Sequence, residues 1–147
     1  MISGLWRKLT GEAADTTLTQ DESRLAVAAL LVIAANADHR YDDVERTQIE
    51  RVLVSRYGLD DAAARALRIE AEAAEAAAMD LYRFTSRVKL YIPYEERARV
   101  VEAMWRVVLA DGEREMHEDA LMRRVADLLG LDPRESIQAR QRVQAGG

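Results

Sequence analysis

An alanine-aspartate pair followed by a glutamate seven residues after the aspartate occurs twice: Ala37-Asp38 with Glu45, and Ala110-Asp111 with Glu118, 73 residues further on. Downstream, Gly58-Leu59-Asp60 returns as Gly130-Leu131-Asp132 at an offset of 72. The order is the same in both copies: apolar helix, acidic loop, amphipathic helix, Gly-Leu-Asp, next helix. Any one of these matches is weak in a chain so rich in alanine and acids. Two offsets that agree within one residue predict a duplicated unit. The physical expectation is two helical hairpins in a pseudo-two-fold relation, packed together because neither buries its apolar face alone.

The expected class is all-α, a compact bundle of about seven helices. Alanine, leucine, glutamate and arginine favour helix, and only two prolines and seven glycines interrupt them. Residues 1–20 read as a separate N-terminal segment: a short amphipathic turn through Leu5, Trp6 and Leu9, then a flexible linker. The helical domain is expected over 21–147, beginning with a helix from about Asp21 to Asn36. Repeat one spans 22–60. Asp42 with Glu45 has capping-box spacing, so a second helix starts near Asp43. Its Ile49, Val52, Leu53 and Tyr57 share a face, and Gly58 takes the place of a C′ glycine. Connecting helices fill 61–92: an alanine-rich outer helix with Arg68 and Glu72 at i,i+4, and a short helix capped by Asp80. Repeat two spans 93–132. Pro93 opens a helix that aligns Ala98, Val101, Trp105 and Val108, and a sixth helix aligns Leu121, Val125 and Leu128. Asp132 and Pro133 start a final polar helix over 133–145.

Composition narrows the function classes. The net charge of −5 argues against non-specific binding to nucleic acid. The absence of cysteine excludes disulfides, thiolate metal sites and thiol nucleophiles. The most apolar run, Leu25 to Ala35, is too short for a membrane span of roughly 20 residues, and reads as a buried core helix. No G-x-S-x-G setting surrounds Ser55, Ser86 or Ser136, and no P-loop or Rossmann glycine pattern occurs.

Ala110-Asp111-Gly112 with Glu118, followed by Arg123-Arg124-Val125-Ala126-Asp127-Leu128-Leu129-Gly130, resembles the TerB-like family of tellurite-resistance and stress-associated bacterial proteins. Asp80-Leu81-Tyr82-Arg83-Phe84-Thr85 and Tyr94-Glu95-Glu96-Arg97, leading to Trp105, fit it too. The resemblance covers roughly residues 22–143. The first loop departs from the second by carrying His39 where the second has Gly112. The resemblance implies a helical bundle of about seven helices and an accessory role in the cytoplasm, often near the inner membrane. A related region occurs in membrane-anchored J-domain co-chaperones. It also implies a divalent metal site in the acidic loops, carried over to Asp38, Glu45, Asp111 and Glu118. No established enzyme activity comes with it.

Two readings of these four acids stand. Two carboxylates from one loop are too few for a hard cation such as Ca²⁺, Mg²⁺ or Mn²⁺, but two loops side by side would bring four together, and a cation would relieve their repulsion. The plain reading is helix-start chemistry, since acids are favoured near helix N-termini; Asp38 and Asp111 would then cap or pair with Arg46, Arg123 or Arg124. An EF-hand is excluded: counting Asp111 as position 1, Met116 stands at the glycine position and Met122 at the bidentate glutamate. His39 and His117 are candidate zinc ligands if the loops meet, and otherwise exposed surface residues. Trp105 is expected in the core. Tyr82, Phe84, Tyr91 and Tyr94 read as a packing junction between the repeats, or as a groove for a partner helix. The functional expectation is a non-enzymatic binding or adaptor module with a protein partner and a divalent cation. The alternative is a metal-dependent hydrolase or transferase using the same carboxylates. Peripheral membrane contact is expected, if at all, through Trp6, Arg7 and Lys8.

Overall fold

The computed structural model describes residues 11–37, 41–110 and 116–146, with side chains from residue 20 in the first stretch and from residue 119 in the last. Among the described residues the chain forms seven α-helices and no strand: α1 Gly11–Ala35, α2 Asp43–Tyr57, α3 Asp61–Ala77, α4 Tyr82–Tyr91, α5 Tyr94–Val108, α6 Met116–Leu128 and α7 Pro133–Gly146. The all-α bundle of about seven helices expected from the helix-forming composition is what the chain adopts.

Two helices form the centre. From Ala26 to Val32 every residue of α1 is buried, so this stretch is apolar on all sides and surrounded by protein. α1 packs against every other helix except α7, and α5 against every other helix except α3. α5 contributes Val100, Val101, Ala103, Met104, Trp105, Val107 and Val108 to the same core. α3 is an outer helix, as its weak stripe predicts. Only Ala64 and Ala71 of it are buried, and side chains this small let it lie close on α1.

Helices at corresponding places in the repeated sequence pattern share register and neighbours. α1 and α5 end at residues 35 and 108, and α2 and α6 begin at 43 and 116, both 73 apart. α3 and α7 begin 72 apart, at 61 and 133. α3 packs on α1 and α2, and its counterpart α7 packs on α5 and α6.

Local chemistry sets these ends. Asp42 and Glu45 form the expected capping box at α2. Asp60 accepts from the Ala63 N–H at 2.7 Å to start α3. Asp132 accepts from the Arg134 N–H at 2.8 Å, and its own N–H donates to Glu135 at 3.3 Å, a second capping box with Pro133 in the first turn. Gly58 and Gly130 have φ of 65° and 76°, the left-handed region that closes a helix. At Gly130 the Leu131 N–H reaches the Ala126 carbonyl and the Gly130 N–H reaches that of Asp127, a Schellman closure. Asp80 accepts from the Arg83 N–H at 3.3 Å at the start of α4.

α1 differs from expectation. It begins at Gly11, ten residues before Asp21, so residues 11–20 extend the helix instead of forming a flexible linker. Extending an existing helix adds one hydrogen bond per residue fixed, whereas nucleation carries the main cost; the core half of α1 supplies the nucleus. Residues 1–10, and with them Trp6, Arg7 and Lys8, lie outside the described residues.

Of the aromatic junction, Phe84 is core. Tyr91 donates to Glu22 of α1 and Tyr94 to Glu135 of α7, so each ties one helix to another, while Tyr82 stays exposed. Arg97 makes the densest tie. Its Nε donates to the Ile92 carbonyl at 3.1 Å, Nη2 to that of Lys89 at 3.0 Å and Nη1 to that of Leu129 at 3.2 Å. One guanidinium thus closes the C-terminal ends of both α4 and α6, where unsatisfied carbonyls and the helix dipole favour a cation.

Candidate functional site: the acidic loops and their anchor

Glu45 is the third residue of α2, and Glu118 is the third residue of α6. The spacing that defined the repeat therefore puts the two glutamates at equivalent points of equivalent helices. The side chain of Glu118 lies outside the described residues, as do Asp38, Asp111 and His39, and the side chain of His117.

Glu45 is 3% exposed, which is rare for a carboxylate. Its Oε2 accepts from the Asp42 N–H at 3.4 Å, while the Asp42 Oδ1 accepts from the Val44 N–H at 3.1 Å. Burial, and then the hydrogen bond between the Glu45 and Asp42 side chains, push the Glu45 pKa up to about 6. The same hydrogen bond holds Asp42 below the usual carboxylate range. The helix-start reading of Glu45 is what its hydrogen bonds display.

The exit of the first loop is fixed by a network that local spacing only half announces. Tyr41 donates its hydroxyl to Glu72 of α3, and the Arg46 guanidinium lies over its ring at 4.7 Å. Arg68, its side chain 11% exposed, donates Nε to Glu50 of α2 at 2.7 Å and Nη1 to Glu72 at 2.6 Å. Arg46 pairs with Asp43 at 3.2 Å and approaches Glu72 at 4.0 Å. Burial, reinforced by the Glu72 hydrogen bond, raises the Tyr41 pKa, so the phenol stays protonated. The Arg68–Glu72 pair is visible as an i,i+4 spacing. Tyr41 and Glu50 join it only through the fold, across 31 and 18 residues.

Among the described residues no group of three or more histidine, aspartate or glutamate side chains is placed to hold a metal ion. Among the described residues, cavities that open on the bundle include two of substantial size. One, of about 460 Å³, lies between α2 and α5 and is lined by Arg56, Arg99 and Arg106 together with Glu96 and Glu102. The other, of about 810 Å³, lies between α6 and α7 above Trp105. Glu45 lines neither. Among the described residues no helix is long and apolar enough to cross a membrane.

The sequence profile of the family described as tellurite resistance protein TerB matches residues 24–141. The chain belongs to the TerB family. The match runs from within α1 into α7 and takes in the positions of both acidic loops. No curated protein and no solved structure matches the chain.

Proposed function

We propose that this TerB-family chain is a non-enzymatic binding module. It holds one divalent cation, Ca²⁺, Mg²⁺ or Mn²⁺, between its two acidic loops through Asp38, Glu45, Asp111 and Glu118, and offers a protein partner a surface in the bacterial cytoplasm, beside the inner membrane, under stress. The observation that carries the reading is the equivalent register of Glu45 and Glu118, the third residues of α2 and α6, each seven residues after the aspartate of its loop. A pseudo-two-fold axis running along α1 and α5, which touch, would put the ends of both helices, and so both loops, at one end of the bundle. Hard cations take six to eight oxygens, so four carboxylates with waters make a site where two do not. The burial of Glu45 favours a cation nearby, because an ionised carboxylate out of water is costly unless paired. Binding is proposed over catalysis because the family resemblance brings no established enzyme activity, and because Glu45 lines neither the 460 Å³ nor the 810 Å³ cavity.

Calorimetric titration of Ca²⁺, Mg²⁺, Mn²⁺ and Zn²⁺ tests the cation part. One saturable site is expected for wild type, at least tenfold weaker in Asp38→Ala and in Asp111→Ala. Saturable heat for none of the cations, or equal affinity in both variants, refutes it.

A further inference from the structure

Arg68 and Arg140 occupy the same place in the two copies. Arg68 is the eighth residue of α3 and Arg140 the eighth of α7. Their surroundings differ. Arg68 is held by Glu50, the eighth residue of α2, and by Glu72, the twelfth of α3. At the corresponding positions of α6 and α7 stand Arg123 and Gln144. Both carboxylates are lost, and one is replaced by a second cation.

The consequence is visible at Arg140. Its Nε is buried and has no hydrogen-bond partner, and no carboxylate pairs with its guanidinium among the described residues. Its guanidinium carbon lies 5.8 Å from the centroid of the Trp105 ring. A buried cationic donor without an acceptor is uncommon and calls for a ligand or ion. Arg140 lines the 810 Å³ groove from α7, and Arg123 and Arg124 line it from α6. The floor is apolar, built by Trp105, Met122 and Leu131, and Ile137 stands half-exposed at the rim.

We infer that this groove is a docking site for an acidic peptide segment of a partner protein, whose carboxylates take the place against Arg140 that Glu50 and Glu72 take against Arg68. Charge complementarity selects an acidic occupant, and the first copy supplies the precedent for two glutamate carboxylates on one guanidinium. The apolar floor takes one large apolar side chain of the same segment. Asp119 and Asp127 also line the groove and disfavour a bare anion or an anionic bilayer, whereas a peptide can turn backbone N–H groups toward them. The inference rests on the adaptor part of the reading above and is independent of the cation.

The test uses the full chain. Twelve-residue peptides displayed on phage are selected on wild type, and the enriched peptides are measured by fluorescence anisotropy against wild type, Arg140→Gln and Arg123→Glu. Arg123→Glu restores to α6 the carboxylate that α2 carries at Glu50, and so fills the site from within. Enriched peptides are expected to combine acids with one large apolar residue, and to bind both variants at least tenfold more weakly. Circular dichroism is expected to show Arg123→Glu folded and no less stable than wild type, which separates occupation of the site from unfolding. Peptides that bind both variants within twofold of wild type overturn the groove and leave the adaptor reading standing. Enrichment of no peptide overturns both. Basic peptides, or displacement by micromolar glutarate, also overturn the inference, the latter by assigning the site to a small free acid.

Discussion

Replacing Arg97 with alanine removes three hydrogen bonds at once. Two of them, to Ile92 and Leu129, are partly buried, and the third, to Lys89, is exposed. A hydrogen bond to a charged group contributes about 1.5–3 kcal/mol when its removal strands the partner. Water can replace the exposed bond, so it adds little. The two partly buried bonds at the low end of the range give about 3 kcal/mol for Arg97→Ala. Lysine keeps the charge at the two helix ends but lacks the planar fork, so it reaches one carbonyl at a time. Arg97→Lys is therefore expected to recover about 1 kcal/mol of that loss, leaving it about 2 kcal/mol below wild type.

Urea denaturation followed by circular dichroism reads both numbers. With a slope of about 2 kcal/mol per molar, the midpoint falls by about 1.5 M for Arg97→Ala and about 1 M for Arg97→Lys, with the slope unchanged. A loss below about 0.5 kcal/mol for alanine would show that water satisfies all three carbonyls and that Arg97 joins nothing. Lysine equal to wild type would refute the fork argument specifically, leaving only charge against the helix dipoles. A changed slope would mean that the denatured or native state has altered its compactness, and the bond count would not apply.

Glu45 carries a pH signature, to be read in cation-free buffer. Its folded pKa of about 6 lies above the ordinary 4.5, so its contribution is present at low pH and is lost as pH rises through about 6. The gap is worth about 2 kcal/mol. Asp42, lowered by the same bond, pulls the opposite way, so the quantity to read is wild type minus Glu45→Gln between pH 4 and 7.5. The glutamine variant is expected to match or exceed wild type at pH 7 and to lose ground below pH 5; parallel stability curves would rule this out. Gly58→Ala is expected to cost about 1–2 kcal/mol from the left-handed backbone alone, because nothing lies within 4 Å of an added Cβ, and Gly58→Asn less than half of that. Equal losses for the two, by the same denaturation assay, would place the cost elsewhere. Arg68→Ala leaves Glu50 and Glu72 facing each other between α2 and α3 and is expected to cost about 2 kcal/mol. Hydrogen exchange should quicken first in those two helices, and uniform loss of protection would contradict that.

What was legible in the sequence is what acts over a few residues. Capping residues, Schellman glycines and apolar stripes work within one or two turns, so Asp42 with Glu45, Asp60, Gly130 and the Trp105 stripe stand where their spacing puts them. The start of α1 was not legible, because residues 11–20 carry no strong signal of their own and follow a helix nucleated further on. The long-range ties were not legible either. Nothing in the spacing of Arg97 and Leu129, or of Tyr41 and Glu72, says that a guanidinium or a phenol will meet its acceptor there. Of the four candidate metal ligands, only the local role of Glu45 is on view, since Asp38 and Asp111 lie outside the described residues.

Compared as two copies at the matching offsets of 72 and 73, the halves serve as controls for each other. Where both copies keep a residue and its role, as at Gly58 and Gly130 or Asp60 and Asp132, the role belongs to the fold, because each helix end needs the same closure. Where both keep a residue but one loses its partners, the fold no longer explains the residue. Arg68 is explained by Glu50 and Glu72. Arg140, with Arg123 and Gln144 at their places, is not, and a long cationic side chain with a buried, unmatched donor is costly to keep for packing alone. The same comparison sets the sign of Arg123→Glu. If the groove exists only to be filled, restoring the glutamate stabilises the bundle and abolishes docking together. If Arg140 is mere packing, the substitution stabilises the bundle and changes nothing else.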